Sequence, residues 1–253
     1  MNLKSLKLLL AAAVLSFAAS PAVHAAGGEV ELQDANVNLD NKLSLARGAK
    51  FYTNYCMGCH SLKFSRYNRV AQDLGLDEET IKSLIFTRDE DNEIDKPGAL
   101  MTNAIPVKDS ARWFGTSPPD LTLIARSRGG GDWIYSYLKG FYRDDSRPLG
   151  VNNMVFANVG MPHVLAELQG MQELEEHDDG HGHITKTLKL VEPGKMSPGE
   201  YDQLARDLTG FLVYVAEPAQ LHRTFYGILT LLFLSVFFVI AYFLKKEFWK
   251  DIH

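Results

Sequence analysis

Cys56-Met57-Gly58-Cys59-His60 is the stretch on which the reading of this 253-residue chain turns. Two cysteines three positions apart, with a histidine directly after the second, form the attachment signature of a c-type haem. Each thiol adds to one haem vinyl group, and the histidine binds the iron from the proximal side. On a single helical turn residues i and i+3 face the same way, so both thiols reach one porphyrin edge while the next residue comes up beneath it. Two other chemistries use such a pair. A redox-active disulfide expects a βαβ setting, and a zinc half-site needs two more ligands at matching spacing. The chain holds only two cysteines, its flanks read as helical, and neither alternative accounts for His60.

Toward the N-terminus, a helix is expected from about Lys42 into Tyr55. Leu45, Gly48, Phe51, Tyr52 and Tyr55 recur at spacings of three and four, one apolar face that ends at the haem motif. Gly48 costs helix propensity, a cost that makes sense where another helix crosses closely. The expected partner follows Ser197-Pro198-Gly199-Glu200, a capping box with proline at the first helical position. There Tyr201, Leu204, Leu208, Phe211, Leu212 and Val215 form a stripe that stops before Pro218. Between these ends, residues 27–40 read as an extended lead-in, 77–86 as a short capped helix and 87–96 as a charged loop. A helix over 121–127 is opened by Pro118-Pro119-Asp120 and broken by Gly129-Gly130-Gly131; another over 133–142 is capped by Asp132 and followed by the turn-rich 144–150. Alternating strand patterns are scarce, so the expected fold class is mainly α.

The chain termini read as targeting and anchoring segments. Residues 1–26 have a basic start (Lys4, Lys7), a short apolar core and a small-residue cleavage site at Val23-His24-Ala25, the pattern of a secretory signal. From Phe225 to Leu244 no charge interrupts the sequence, and 20 helical residues cover a hydrocarbon core of roughly 30 Å. Lys245, Lys246 and Lys250 follow this run, while only His222 and Arg223 stand near its start, so the positive-inside rule puts the C-terminus in the cytoplasm. The expected order is signal 1–26, periplasmic haem domain 27–222, transmembrane anchor 223–246 and cytoplasmic tail 247–253, on a bacterial-type inner membrane. Between signal and anchor, acidic side chains outnumber basic ones by eight. That balance makes nucleic acid a poor partner and steers a basic protein toward the surface.

An iron held by His60 has a sixth position to fill with methionine, histidine or nothing. Met161 has the most suitable setting, between Gly160, which permits close backbone approach, and Pro162, which stiffens the loop. His163 is its direct competitor, and on the residues alone the choice stays open. The segment Glu173–His183, with His177, His181 and His183, has the composition of a weak metal site but reads as a solvated acidic loop.

Taken in order, RGAKFYTNYCMGCHSLKFSRY (47–67), PPDLTLIARSRGGGDW (118–133), NVGMPHVL (158–165), AEP (216–218) and one C-terminal anchor resemble the cytochrome c1 family. Its members are the membrane-anchored haem subunits of quinol–cytochrome c oxidoreductase, the cytochrome bc1 complex. The resemblance implies a class I c-type cytochrome-like domain with long insertions and one covalent haem c. It matches Cys56 and Cys59 to the thioether cysteines, His60 to the proximal ligand and Met161 to the distal one. Arg128 matches a residue that pairs with a haem propionate, Trp133 stands where relatives often carry a propionate-bonding tyrosine, and Pro118 and Pro119 match haem-edge prolines. The segment SARWFGTS (110–117) departs from the Asn-rich version of many relatives. The implied role is electron relay rather than catalysis by the isolated chain. The implied partners are cytochrome b, a Rieske iron–sulfur protein, a cytochrome c acceptor and membrane lipid. Two other functions fit a c-type haem on an anchor: a haem enzyme or gas sensor with an open sixth position, and a cytochrome c subunit of a terminal oxidase.

Overall fold

Helix α1 (Lys42–Phe51) begins where the Asn41 side chain accepts a hydrogen bond from the Ser44 N–H. It continues through a π-helical turn (Tyr52–Cys56) directly into the cysteine motif. The computed structural model describes residues 30–251 except 86, 89–90, 179 and 181–183, so the expected signal segment lies outside the described residues. After the motif, strand β1 (Leu62–Arg66) leads to helix α2 (Tyr67–Leu74), which ends at a left-handed Gly75, and to α3 (Glu78–Leu84), capped by Asp77. A two-residue β2 (Leu100–Met101) pairs antiparallel with β1. Helices α4 (Val107–Phe114), α5 (Ile124–Ser127) and α6 (Gly131–Lys139) follow. Strands β3 (Phe141–Arg143) and β4 (Val151–Asn153) then form a short antiparallel ladder across the expected turn. A single turn, α7 (Ala166–Gln169), precedes β5 (Gly170–Asp178), which pairs antiparallel with β6 (Ile184–Pro193) along its whole length. Helices α8 (Pro198–Ala216) and α9 (Gln220–Phe248) close the chain.

Helix α8 carries the expected capping box, with Ser197 and Glu200 satisfying each other's backbone N–H and Pro198 in the first turn. All six residues of its expected stripe are buried. It crosses α1 at Gly48, where an added Cβ would stand 2.1 Å from the Asp207 carbonyl oxygen and 2.7 Å from Phe211 Cβ. Only a residue without a side chain lets the two backbones approach so closely. The Asp207 carboxylate is buried at this crossing and fully engaged. Arg47 donates to it twice, at 2.6 and 3.0 Å, and Ser44 and Gln203 add further bonds. A buried carboxylate persists only with such a set of partners. One step along the same interface, the Phe211 and Tyr52 rings meet at 5.7 Å, which joins α8 to the turn bearing the motif.

The mainly α reading holds for this core, but three two-stranded sheets also occur among the described residues. The β5–β6 hairpin replaces part of the expected acidic loop. Charged residues stand on both its faces, with Lys189–Glu175 and Lys186–Glu176 pairs across the strands, and interrupt the apolar alternation that would announce it. Helix α5 occupies only the last four residues of the expected 121–127 helix. Asp132 is not the cap of α6. Gly129 and Gly130, at φ 90° and 91°, turn the chain, and Gly130 is the cap residue. The Asp132 carboxylate instead accepts the Ala35 N–H at 2.8 Å and pins the lead-in segment, which Ser136 also holds through the Gln33 N–H.

Helix α9 is 29 residues long, roughly 44 Å at 1.5 Å per residue, and none of its residues is buried. It is long and apolar enough to cross a membrane.

The crossing at Gly48 predicts that Gly48→Val forces α1 and α8 apart. Overpacking of this kind costs about 1–3 kcal/mol, so the thermal midpoint of the helical circular-dichroism signal should fall in the detergent-solubilised protein. An unchanged midpoint would mean that the two helices do not meet there.

Candidate haem site

The π-helical turn and the residues after it present the two thiols differently: Cys56 is buried in the main apolar cluster, whereas Cys59 is exposed. Burial, followed by the neighbouring Cys59, pushes the Cys56 thiol up to about 12, so it is a neutral thiol and not a thiolate. Backbone bonds from Cys59 and His60 N–H to the Cys56 carbonyl close the turn. Tyr52 donates its hydroxyl to the His60 carbonyl at 2.5 Å, and Met57, fully buried, accepts the Tyr67 hydroxyl at 3.4 Å.

His60 Nδ1 lies 2.7 Å from the Pro119 carbonyl oxygen. A carbonyl oxygen only accepts, so Nδ1 carries the proton and the lone pair is left on Nε2, the atom that binds a metal. Burial lowers the imidazole pKa against the opposing pull of the Pro119 carbonyl and Asp120, so the ring is neutral at pH 7. The 118–122 segment is itself tied to the residues after the motif. Leu121 N–H donates to the Ser61 carbonyl at 2.9 Å, and Asp120 accepts the Lys63 N–H at 2.8 Å. Pro118 is half-buried and Pro119 exposed, and the Pro119 carbonyl is the feature of that pair that acts on His60.

Met161 packs on a second, smaller apolar cluster of Phe141, Val151 and Val159. Its neighbour Gly160 reaches the 116–120 segment: an added Cβ would make ordinary contact with Thr116 Cγ2 at 3.5 Å. The methionine sulfur accepts the Tyr137 hydroxyl at 3.4 Å. Burial pushes the Tyr137 phenol up to about 12 against the positive charge of Arg128, so it is a proton donor at neutral pH. The competing His163 is buried, stacks face to face on Phe141 at 4.8 Å and is pushed down to about 4 by burial.

Trp133 stacks on Tyr137, with centroids 5.0 Å apart and planes within 12°, and so links the two apolar clusters. The Arg128 guanidinium lies over the Trp133 and Phe156 rings at 5.7 and 5.2 Å, and among the described residues it has no carboxylate partner. Phe156 and Tyr137 were not singled out by the sequence. The signal available was slight, an aromatic in the VNNMVF stretch and a tyrosine in an apolar helical run. In the His-rich segment His177 faces Glu175 at 3.8 Å, His181 and His183 lie outside the described residues, and no group of three metal-ligating side chains forms among those described.

The donor set fits a c-type haem. Two thiols of suitable spacing, an imidazole with its lone pair fixed on Nε2, a thioether, and half-exposed aromatic surface at Trp133 and Phe156 are the groups such a cofactor engages. A family model described as the cytochrome C1 family matches residues 33–252, nearly the whole chain. The chain belongs to the cytochrome c1 family. It is 50% identical over 250 residues to a cytochrome c1 of Allochromatium vinosum, covering 98% of this chain and 99% of that one. A protein of Nitrosomonas europaea named ammonia monooxygenase gamma subunit is 44% identical over 247 residues, 97% of each chain. The mitochondrial cytochrome c1 heme protein of Saccharomyces cerevisiae is 29% identical over 231 residues, 83% of this chain and 67% of that one.

Arg128, held on two rings and without a carboxylate partner among the described residues, is a candidate partner for an acidic group of a bound cofactor. Arg128→Gln should keep covalent attachment and lower the midpoint potential, because loss of the positive charge favours the oxidised, more positive iron. Equal potentials in redox titrations of the two proteins would assign the role to another cation, Arg126 first.

Proposed function

We propose that this chain is the membrane-anchored haem subunit of a cytochrome bc1 complex, receiving electrons from a Rieske iron–sulfur protein and passing them to a cytochrome c. The observation that carries the reading is the Nδ1–H of His60 donated to the Pro119 carbonyl beside the Cys56/Cys59 pair, in a chain of the cytochrome c1 family. Haem c, when bound, supplies a one-electron centre. The chain's own residues determine how that centre behaves. Cys56 and Cys59 would attach it, the half-buried His60 would present a neutral nitrogen, and Met161 would offer a thioether. A thioether ligand favours the reduced iron, which suits a relay late in a respiratory chain. If His60 and Met161 both bound the iron, no position would remain for a substrate, which would make the isolated chain a relay and not a catalyst. Arg128, with Trp133 and the Pro118-Pro119 edge, serves the propionate side and rim.

A class I cytochrome-like domain enlarged by insertions is consistent with α1 crossing α8 behind the motif, with the β5–β6 hairpin as one such insertion. Helix α9, with Lys245 and Lys246 in its last turn, supports a single-pass anchor with the haem domain periplasmic and the tail cytoplasmic. The name of the Nitrosomonas relative makes the surrounding complex the point to test. Affinity purification of the tagged full-length chain from mild-detergent membranes should recover a cytochrome b and a Rieske protein. Recovery of a copper-containing oxidase in their place would overturn the proposal.

Met161→Leu tests the ligand assignment. The protein should still carry attached haem, because Cys56, Cys59 and His60 remain. Its potential should fall, with about tenfold in the reduction equilibrium constant for each 59 mV, and the reduced form should bind CO, which the intact protein should refuse. A variant that keeps its potential and still refuses CO has its distal ligand elsewhere.

A further inference from the structure

We infer that Tyr137 is a positioning residue for the distal ligand: its hydroxyl hydrogen-bonds the Met161 sulfur and tunes the electron density that sulfur offers to the iron. The inference rests on the proposed assignment of Met161 as that ligand. A thioether sulfur has two lone pairs, so one can bind a metal while the other accepts a proton donor. The contact is 3.4 Å long, within the range for a sulfur acceptor. Tyr137 is not free to swing elsewhere. Its ring is stacked on Trp133 at 5.0 Å and edge-packed against Phe141 at 5.3 Å, and its backbone carbonyl accepts the Asn153 side-chain amide at 2.8 Å. Trp133 therefore has a structural task in this chain, as the wall that holds the Tyr137 ring, and the Arg128 guanidinium lies over the Trp133 ring at 5.7 Å. These aromatics line a site of low polarity, where a hydrogen bond acts more strongly than in water.

The sign follows from charge. A donor on the sulfur withdraws electron density from it, which weakens its bond to the oxidised iron more than its bond to the reduced iron. The hydrogen bond therefore raises the reduction potential. A net worth of about 0.5–1.5 kcal/mol for one hydrogen bond bounds the effect at about tenfold in equilibrium.

Tyr137→Phe keeps the ring, its stack and its packing, and removes only the hydroxyl. Two quantities would be measured on the haem-loaded, full-length protein in detergent: the midpoint potential, and the affinity of the oxidised form for added imidazole, which competes with Met161. Removing the hydroxyl should strengthen the sulfur's hold on oxidised iron. The reduction equilibrium constant should therefore fall about threefold to tenfold, a shift of about 28–59 mV, and imidazole should bind more weakly by a similar factor. A merely structural role would loosen the ligand, so a lower potential with tighter imidazole binding would overturn the inference. Both quantities unchanged would also overturn it. Met161→Leu alone and the Met161→Leu/Tyr137→Phe pair separate the two levels of the argument. If Met161→Leu keeps the wild-type potential, the ligand assignment itself has failed. If Met161→Leu lowers the potential and Tyr137→Phe lowers it further in that background, the tyrosine acts on the haem by a route other than the sulfur, and this inference alone falls.

Discussion

The close crossing of α1 and α8 at Gly48 is the constraint on which the rest of the structure depends. The two backbones meet where Gly48 has no side chain. The buried Asp207 carboxylate ties α8 to α1 there through Arg47 and Ser44, and Gln203 on its own helix adds a further bond. From that fixed point the chain has little freedom: Phe211 on α8 meets Tyr52, and Tyr52 bonds the backbone of His60. The cysteine motif is thus set on the main core by a helix nearly 150 residues away in sequence. Removing one partner from a buried charge cluster costs far more than a surface ion pair, so this crossing is also where the fold is most exposed to damage by substitution.

The second link is the hydrogen bond from His60 Nδ1 to the Pro119 carbonyl. It converts a local motif into a site, because it fixes the tautomer of the imidazole and ties the motif to the 116–120 segment. That segment in turn runs beside the Gly160–Met161 loop, where a Cβ added at Gly160 would reach Thr116. Proline at 118 and 119 limits the backbone of the segment, so the carbonyl is presented from a stiff piece of chain. The methionine side is held by a different cluster, and the Trp133–Tyr137 stack bridges the two. Arg128 and Phe156 finish an aromatic rim that is only half covered by protein.

The sequence made legible those features whose physics is local or periodic. The motif's spacing, the capping box at Ser197–Glu200, the stripe from Tyr201 to Val215 and the significance of Gly48 all follow from one helical period. The β5–β6 hairpin did not show, because charged residues occupy both its faces and period-two alternation appears only when one face is buried. Asp132 has a cap residue's composition, but the positive φ of Gly129 and Gly130 lets the helix start earlier, with Gly130 as its cap, and frees the Asp132 carboxylate for Ala35. Within the proposed site, Cys56, Cys59 and His60 stand out by their own chemistry and spacing, whereas on the residues alone Met161 and His163 compete for the sixth position. The Pro119 carbonyl, a backbone atom, and Tyr137, one tyrosine among ten, acquire meaning only from what the fold places beside them.

The proposed function requires an iron whose two protein ligands are the nitrogen of His60 and the sulfur of Met161. X-ray absorption at the iron edge of the purified full-length protein, in both oxidation states, reads that ligand set directly. One sulfur scatterer accompanying five nitrogens, lost in Met161→Leu, is the predicted result. A first shell of nitrogen alone in the wild-type protein would contradict it and would point to a histidine at the sixth position.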